Sequence, residues 1–220
     1  MVKPRVPETD HGITGVFDTQ TYDVMMRHLR DRGWIETKLV IASGISSGLA
    51  LEVGPGPGYL GLEWLKNTKN TMLKGLDISD DMIAIAIKNA SEYGVSDRVE
   101  YVKSDAQNMP FEEEYFDAVF TNGSFHEWAH PEENINEINR VLKPGGKYLL
   151  SDLRRDMNLV VKWFLWIMTK PKEMRPGLVS SINASYTLAE IEDVFYRTKL
   201  QDWHASKNML GIIVIGQKPV

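Results

Sequence analysis

The chain has 220 residues, a formal net charge of −5 and no cysteine. That length suits a single domain able to bury well over half of its unfolded surface without a staple. The missing cysteines exclude disulfides, thiolate nucleophiles and Cys-ligated zinc, and the acidic balance argues against non-specific nucleic-acid binding. The first dozen residues are polar and lack the apolar core of a signal peptide, and no apolar run reaches the roughly 20 residues of a membrane span. A cytoplasmic protein is expected. Charge is unevenly spread: residues 100–139 hold ten acids and only Lys103 as a base, whereas residues 140–175 hold nine Lys/Arg against Asp152, Asp156 and Glu173. Solvated faces explain such runs by default; the basic one is also compatible with an anionic group on a substrate.

Asp18 to Arg32 reads as a helix, with Asp18 or Thr19 as cap and Gly33 after its end. Trp34 to Ile45 is expected to form a second helix. Leu49 to Val53 is a short apolar run ending in glycines, as a buried strand does, and Tyr59 to Lys66 is a helix opening from the glycine loop. Thr71 to Leu76 is the next strand. Met82 to Ile87 alternates like a strand, but Ser79 is a good cap, and Asp80 and Asp81 suit the positive end of a helix dipole; a helix is expected. Arg98 to Lys103 and Phe116 to Thr121 are strands. Pro131 opens a helix to Leu142, Pro144-Gly145-Gly146 is a turn, and Lys147 to Ser151 is a fifth strand. Thr187-Leu188-Ala189-Glu190 fits a capping box for a helix to Arg197. Gln201 to Ser206 and Gly211 to Ile215 are spaced as a terminal hairpin. Strand and helix alternate, so an α/β fold with a mostly parallel sheet is expected, and such sheets bind ligands beyond the carboxyl ends of their strands.

Gly54, Gly56 and Gly58 lie between a strand and a helix. There the backbone can approach a ligand closely, and the helix start offers free N–H groups to a carboxylate or pyrophosphate. Gly56-Pro57-Gly58-Tyr59-Leu60-Gly61 also satisfies G-x-G-x-x-G, the dinucleotide fingerprint. Asp77, at the end of the second strand, suits two ribose hydroxyls under either reading. Two further acids separate the readings. Glu52 ends a buried strand just before the glycines, and a buried carboxylate needs a partner such as an ammonium group. Asp105, after the third strand, can accept from an exocyclic amine while the next backbone N–H, that of Ala106, donates to a ring nitrogen.

In order along the chain stand Leu51-Glu52-Val53-Gly54-x-Gly56-x-Gly58, Gly75-Leu76-Asp77-Ile78-Ser79, Ser104-Asp105-Ala106, Phe116-Asp117-Ala118-Val119 and Arg140-Val141-Leu142-Lys143-Pro144-Gly145-Gly146. From about residue 48 to 153 the chain resembles the class I S-adenosylmethionine-dependent methyltransferases, in particular the type 11 group related to the ubiquinone/menaquinone methylating enzymes. The resemblance implies a three-layer Rossmann-like fold whose seven-stranded sheet has an antiparallel last strand. It implies S-adenosylmethionine as cofactor: Gly54, Gly56 and Gly58 against the methionine moiety, Glu52 near its amino group, Asp77 on the ribose, Ile78 on the adenine face, Asp105 and Ala106 at the adenine edge, and the backbone of Asn122 facing the methionine part. It also implies a cofactor-binding core over 48–153, with N-terminal helices over 1–47, a lid or insertion over 154–186 and a closing helix and strands over 187–220.

His126-Glu127-Trp128-Ala129-His130 spells H-E-x-x-H, a zinc-protease motif that needs both histidines on one face of a helix. Pro131 follows at once and starts its own helix, so no metal is expected. In the family this loop lies below the transferred methyl group, which makes His126 the candidate to orient the acceptor or take its proton, with His130 structural. Tyr22, Trp128 and Trp163 are candidate pocket residues. Trp163 sits in Leu159 to Met168, an apolar stretch placed where this fold carries a substrate cover. The expected function is methyl transfer to a small-molecule acceptor, with an amphipathic or anionic one compatible with the flanking cations. A homodimer is compatible with the sequence, and no nucleic-acid partner is expected. A nicotinamide-dependent oxidoreductase, a zinc hydrolase and a cofactor-binding protein of this fold that has lost catalysis are the rivals.

Overall fold

The computed structural model describes residues 3–8 and 15–220. Seven strands form one sheet: β1 Gly48–Val53, β2 Thr71–Asp77, β3 Val99–Lys103, β4 Phe116–Asn122, β5 Leu142–Leu153, β6 Trp203–Lys207 and β7 Gly211–Gln217. Their order is β3-β2-β1-β4-β5-β7-β6. The pairs β1–β2, β1–β4, β2–β3 and β4–β5 are parallel, and β7 runs antiparallel to both β5 and β6. The strand order reverses between β1 and β4, so the crevice at their carboxyl ends is the switch point where such sheets take ligands.

The helices are α1 Val16–Asp31, α2 Thr37–Ala42, α3 Tyr59–Asn67, α4 Asp80–Tyr93, α5 Pro131–Val141, α6 Leu159–Met168, α7 Arg175–Ala184 and α8 Leu188–Tyr196. Successive strand residues face opposite sides, so β1 feeds two cores. Leu51 and Val53 join Val119, Ile135, Ile138 and Phe195 on one face. Ala50 joins Leu62, Trp64, Leu65, Leu73 and Phe120 on the other. A third, smaller cluster of Met157, Val161 and Ile182 ties α6 to α7. Among the described residues no helix is long and apolar enough to cross a membrane.

Met82 to Ile87 is helical, as its flanks predict. Ser79 accepts from the Met82 N–H, Gly94 ends the helix with φ 68°, and the buried residues are Met82, Ala86, Asn89 and Ala90, a helical stripe. The capping box at Thr187 and Glu190 also forms. Three expectations are corrected. Helix α1 begins at Val16 after Gly15, whose carbonyl accepts from both the N–H and the hydroxyl of Thr19. The second helix shrinks to Thr37–Ala42, because Gly33 (φ 67°) and Gly44 (φ 88°) confine it. Pro144-Gly145-Gly146 is no free turn but an irregularity inside β5, pinned to the chain end by Gly145 N–H to the Lys218 carbonyl and Lys218 N–H to the Gly146 carbonyl.

Candidate functional site

A cleft opens at the carboxyl ends of β1, β2 and β4. The ends of β1 and β2 supply Glu52, Val53, Leu76 and Asp77, and the loops after the strands supply Gly54, Gly56, Ile78, Asp105, Ala106 and Gly123. Asn122 closes β4, and Tyr22 reaches in from α1.

All three loop glycines have positive φ: 67° at Gly54, 51° at Gly56 and 85° at Gly58. A side chain at any of them would be strained. A Cβ on Gly54 would meet Ser124 Cβ at 2.7 Å, and one on Gly58 the Tyr101 hydroxyl at 2.6 Å. Gly54 and Gly56 line the cleft, whereas Gly58 shapes the entry into α3 behind it.

Glu52 is 2 % exposed, and its Oε2 has no hydrogen-bond partner among the described residues. Burial pushes its carboxyl up to about 8; the Gly61 backbone opposes this and the nearby Asp77 adds to it. Asp77 is buried too. Its two oxygens accept from the N–H groups of Gly56 at 3.0 Å and Ser79 at 2.9 Å, which offset part of the upward shift that burial imposes. Each oxygen keeps a lone pair for a ligand. Asp105 is exposed and accepts from the Gln107 N–H at 2.9 Å. Ile78 is half-exposed on the cleft wall. The Asn122 side-chain amide donates to Glu36 at 3.0 Å and to Ser151 at 2.9 Å.

The H-E-x-x-H segment is not a helix. Phe125–Glu127 forms one 3-10 turn, Trp128 is extended, and His130 is the exposed N-cap of α5. The geometry of a zinc protease is absent. His126 is 4 % exposed and does not line the cleft. Asp152 accepts from its backbone N–H at 2.8 Å and lies 2.9 Å from Nδ1, while Nε2 stands 3.3 Å from Glu8 Oε2. Burial disfavours the imidazolium, but Asp152 and Glu8 outweigh it and push the ring up to about 10. The geometry thus turns the candidate base of the sequence reading away from the cleft.

The next residue, Glu127, lines the cleft beside Trp128. Burial pushes its carboxyl up to about 7, against the pull of His126 and with the repulsion of Glu8 and Asp152. The sequence reading passed over Glu127, Glu8 and Asp152, although Glu127 was visible beside His126. Trp163 is 64 % exposed and lines a separate groove with Trp166, Leu178, Val179 and Ile182. It is not a residue of this cleft.

The family model described as a methyltransferase domain of the type 11 group matches residues 51–150. Over those residues the chain is similar to that family. The chain is 30% identical over 159 residues, 70% of its own length, to the ubiquinone/menaquinone biosynthesis C-methyltransferase UbiE of Pseudomonas putida strain GB-1, of which the match covers 60%. It is 32% identical over 114 residues to the methyltransferase YdaC of Bacillus subtilis, covering 52% of this chain and 59% of that one. The chain thus spans about 60% of the length of these curated relatives. In fold it resembles a Methanococcus maripaludis chain assigned as an S-adenosyl-L-methionine-dependent methyltransferase, with TM-score 0.75, 23% identity and coverage of 95% and 98%. It also resembles the phosphoethanolamine N-methyltransferase 2 of Haemonchus contortus in complex with S-adenosyl-L-methionine, with TM-score 0.63, 18% identity and coverage of 80% and 49%. The fold is the seven-stranded methyltransferase form of the Rossmann-like architecture.

Proposed function

We propose that the protein transfers the methyl group of S-adenosylmethionine to a small-molecule acceptor in the cytoplasm. The observation that carries this reading is Glu52. A buried carboxylate with an orphaned oxygen at the floor of a glycine loop calls for a cation, and the ammonium of the methionine moiety is one. A pyrophosphate carries no cation, so the oxidoreductase reading leaves Glu52 without such a partner. The third glycine of the dinucleotide pattern, Gly61, has another reason to be there: it leaves room for Glu52.

On this reading the Gly54 and Gly56 backbone and the main chain of Asn122 hold the methionine part. Asp77 takes the ribose hydroxyls, Ile78 packs on the adenine, and Asp105 with the Ala106 N–H reads its edge. The cofactor supplies a methyl group already activated on sulfur. The chain's own task is to align the acceptor for in-line displacement and to exclude water. Tyr22, Glu127 and Trp128 face that acceptor. None of the cations that suggested an anionic acceptor lines the cleft, and Arg154 pairs with Asp156 at 2.7 Å and Arg155 with Glu190 at 2.5 Å. An uncharged or cationic acceptor fits the carboxylate-lined end better.

Titration calorimetry with S-adenosylhomocysteine tests the reading. Binding at micromolar concentration, weakened by about 10–100-fold in Glu52→Gln as a charge-assisted hydrogen bond is lost, supports it. No binding to the folded wild-type chain overturns it.

A further inference from the structure

Behind the acceptor end of the cleft, three side chains converge that the proposed transfer does not require. Glu8, His126 and Glu127 each present one ligand atom, and these atoms all lie within 4.8 Å of one another. They come from distant parts of the chain. The segment 3–8 is strapped across the fold by Val6 N–H to the Asn183 carbonyl, by Arg5 to the carbonyls of Ala184 and His126, and by Arg155 to the Lys3 carbonyl. That strap delivers Glu8 to the imidazole.

We propose that Glu8, His126 and Glu127 form a divalent-cation site, with Asp152 aiming the imidazole. Asp152 receives Nδ1 at 2.9 Å and the backbone N–H of the same residue at 2.8 Å, so the ring is fixed in both position and rotation. With a carboxylate on Nδ1, the ring can offer Nε2 to an ion that displaces the proton held there. That nitrogen is buried, stands 3.3 Å from the Glu8 carboxylate, and makes no well-directed hydrogen bond among the described residues. Glu127 donates its backbone N–H to the Ser124 carbonyl at 3.0 Å, while its side chain has no hydrogen-bond partner among the described residues and opens to the cleft. The nearest cation, Arg5, spends its guanidinium on two carbonyls and on the Tyr186 ring 4.2 Å away. Among the described residues, three carboxylates, Glu8, Glu127 and Asp152, therefore face one imidazole with no further positive side chain between them.

One imidazole and two carboxylates, with remaining positions open to the cleft, suit Mn²⁺, Fe²⁺ or Zn²⁺. This departs from the sequence expectation of no metal, because the set is neither helical nor built on His130. If the cleft carries out the methyl transfer proposed above, such an ion would take an oxygen donor of the acceptor and favour its ionised form. Ion binding itself does not rest on that reading.

The test uses Mn²⁺ alone on the full chain stripped by chelator. Electron paramagnetic resonance should count one tightly bound Mn²⁺ per chain, and its spin-echo modulation should show coupling to an imidazole ¹⁴N. Asp152→Asn should weaken binding about 10–100-fold, as loss of a partner behind a ligating histidine does. His126→Ala should weaken it at least as much, and Glu133→Gln, on the exposed first turn of α5, should not change it. No Mn²⁺ bound by the wild type at millimolar concentration overturns the proposal. So does bound Mn²⁺ without ¹⁴N coupling, a result that needs no variant to fold, or equal affinity in all three variants. Mn²⁺ binding without S-adenosylhomocysteine binding would leave the ion site standing and remove the methyl-transfer reading; the reverse result would do the opposite.

Discussion

Glu52 and Gly61 share one space: a Cβ on Gly61 would overlap the Glu52 carboxylate and a methyl of Leu73. The helix that follows the glycine loop can lie this close to β1 only because position 61 has no side chain. Gly61→Ala must displace a buried carboxylate or lift α3. Forcing a methyl into such a contact costs about 1–3 kcal/mol. We expect a lower thermal midpoint together with weaker S-adenosylhomocysteine binding. Calorimetry and a thermal melt check both, and an unchanged affinity would show that Glu52 does not face the ligand.

The upward shift of Glu52 to about 8 makes binding depend on pH. Below that value the free protein holds this carboxyl protonated, whereas an ammonium partner needs it ionised. Ligand binding at pH 7 should therefore release a proton, and affinity should rise by up to about tenfold per pH unit towards pH 8 and then level off. Calorimetry in buffers of different ionisation enthalpy reads the proton directly. Stability of the free protein should move the other way. Because the folded-state value lies above the unfolded one, the folded chain binds the extra proton, and stability is lost as pH rises from about 4.5 through 8. Glu52→Gln should remove both dependences and melt above the wild type at pH 9.

The glycine loop, Asp77, Asp105 and the cap at Ser79 were legible because each is a local signal, tied to a strand end or a helix start. The sheet followed from the alternation of such segments. The facing of His126 was not legible. A 3-10 turn has no periodicity from which a buried side can be read, and the groups that orient the ring lie far off in sequence. Arg5 holds the His126 carbonyl from 121 residues away and Asp152 holds the ring from 26. The helix α4 was an intermediate case: its Met-Ile-Ala-Ile-Ala-Ile run alternates as a strand does, and only its flanks decided it.

Trp163 lies on α6 among exposed apolar neighbours and lines a groove apart from the cleft. Trp163→Ala should leave S-adenosylhomocysteine affinity within twofold of the wild type and should barely move the thermal midpoint, since little of the ring is buried. Calorimetry on the variant decides it. A tenfold loss would mean that α6 folds over the cleft once ligand is bound, and would restore Trp163 to the acceptor pocket.

Arg155 is 5 % exposed and joins three parts of the chain. Its guanidinium donates to the carbonyls of Lys3 and Ser185 and to the Glu190 carboxylate, itself the capping-box acid of α8. Arg155→Ala leaves the buried Ser185 carbonyl unsatisfied. Glu190 is part-exposed and can turn to water, so its share of the loss is small. The expected cost is about 1–3 kcal/mol, set by the orphaned carbonyl. Arg155→Lys should recover only part of it, because an ammonium cannot reproduce the planar fork. The strap carrying Glu8 should loosen in both variants. Brief trypsin treatment, read by mass spectrometry, should then cut after Arg5 faster than in the wild type. Equal cutting rates would show that the contacts of Arg5 and Val6 hold the strap without Arg155.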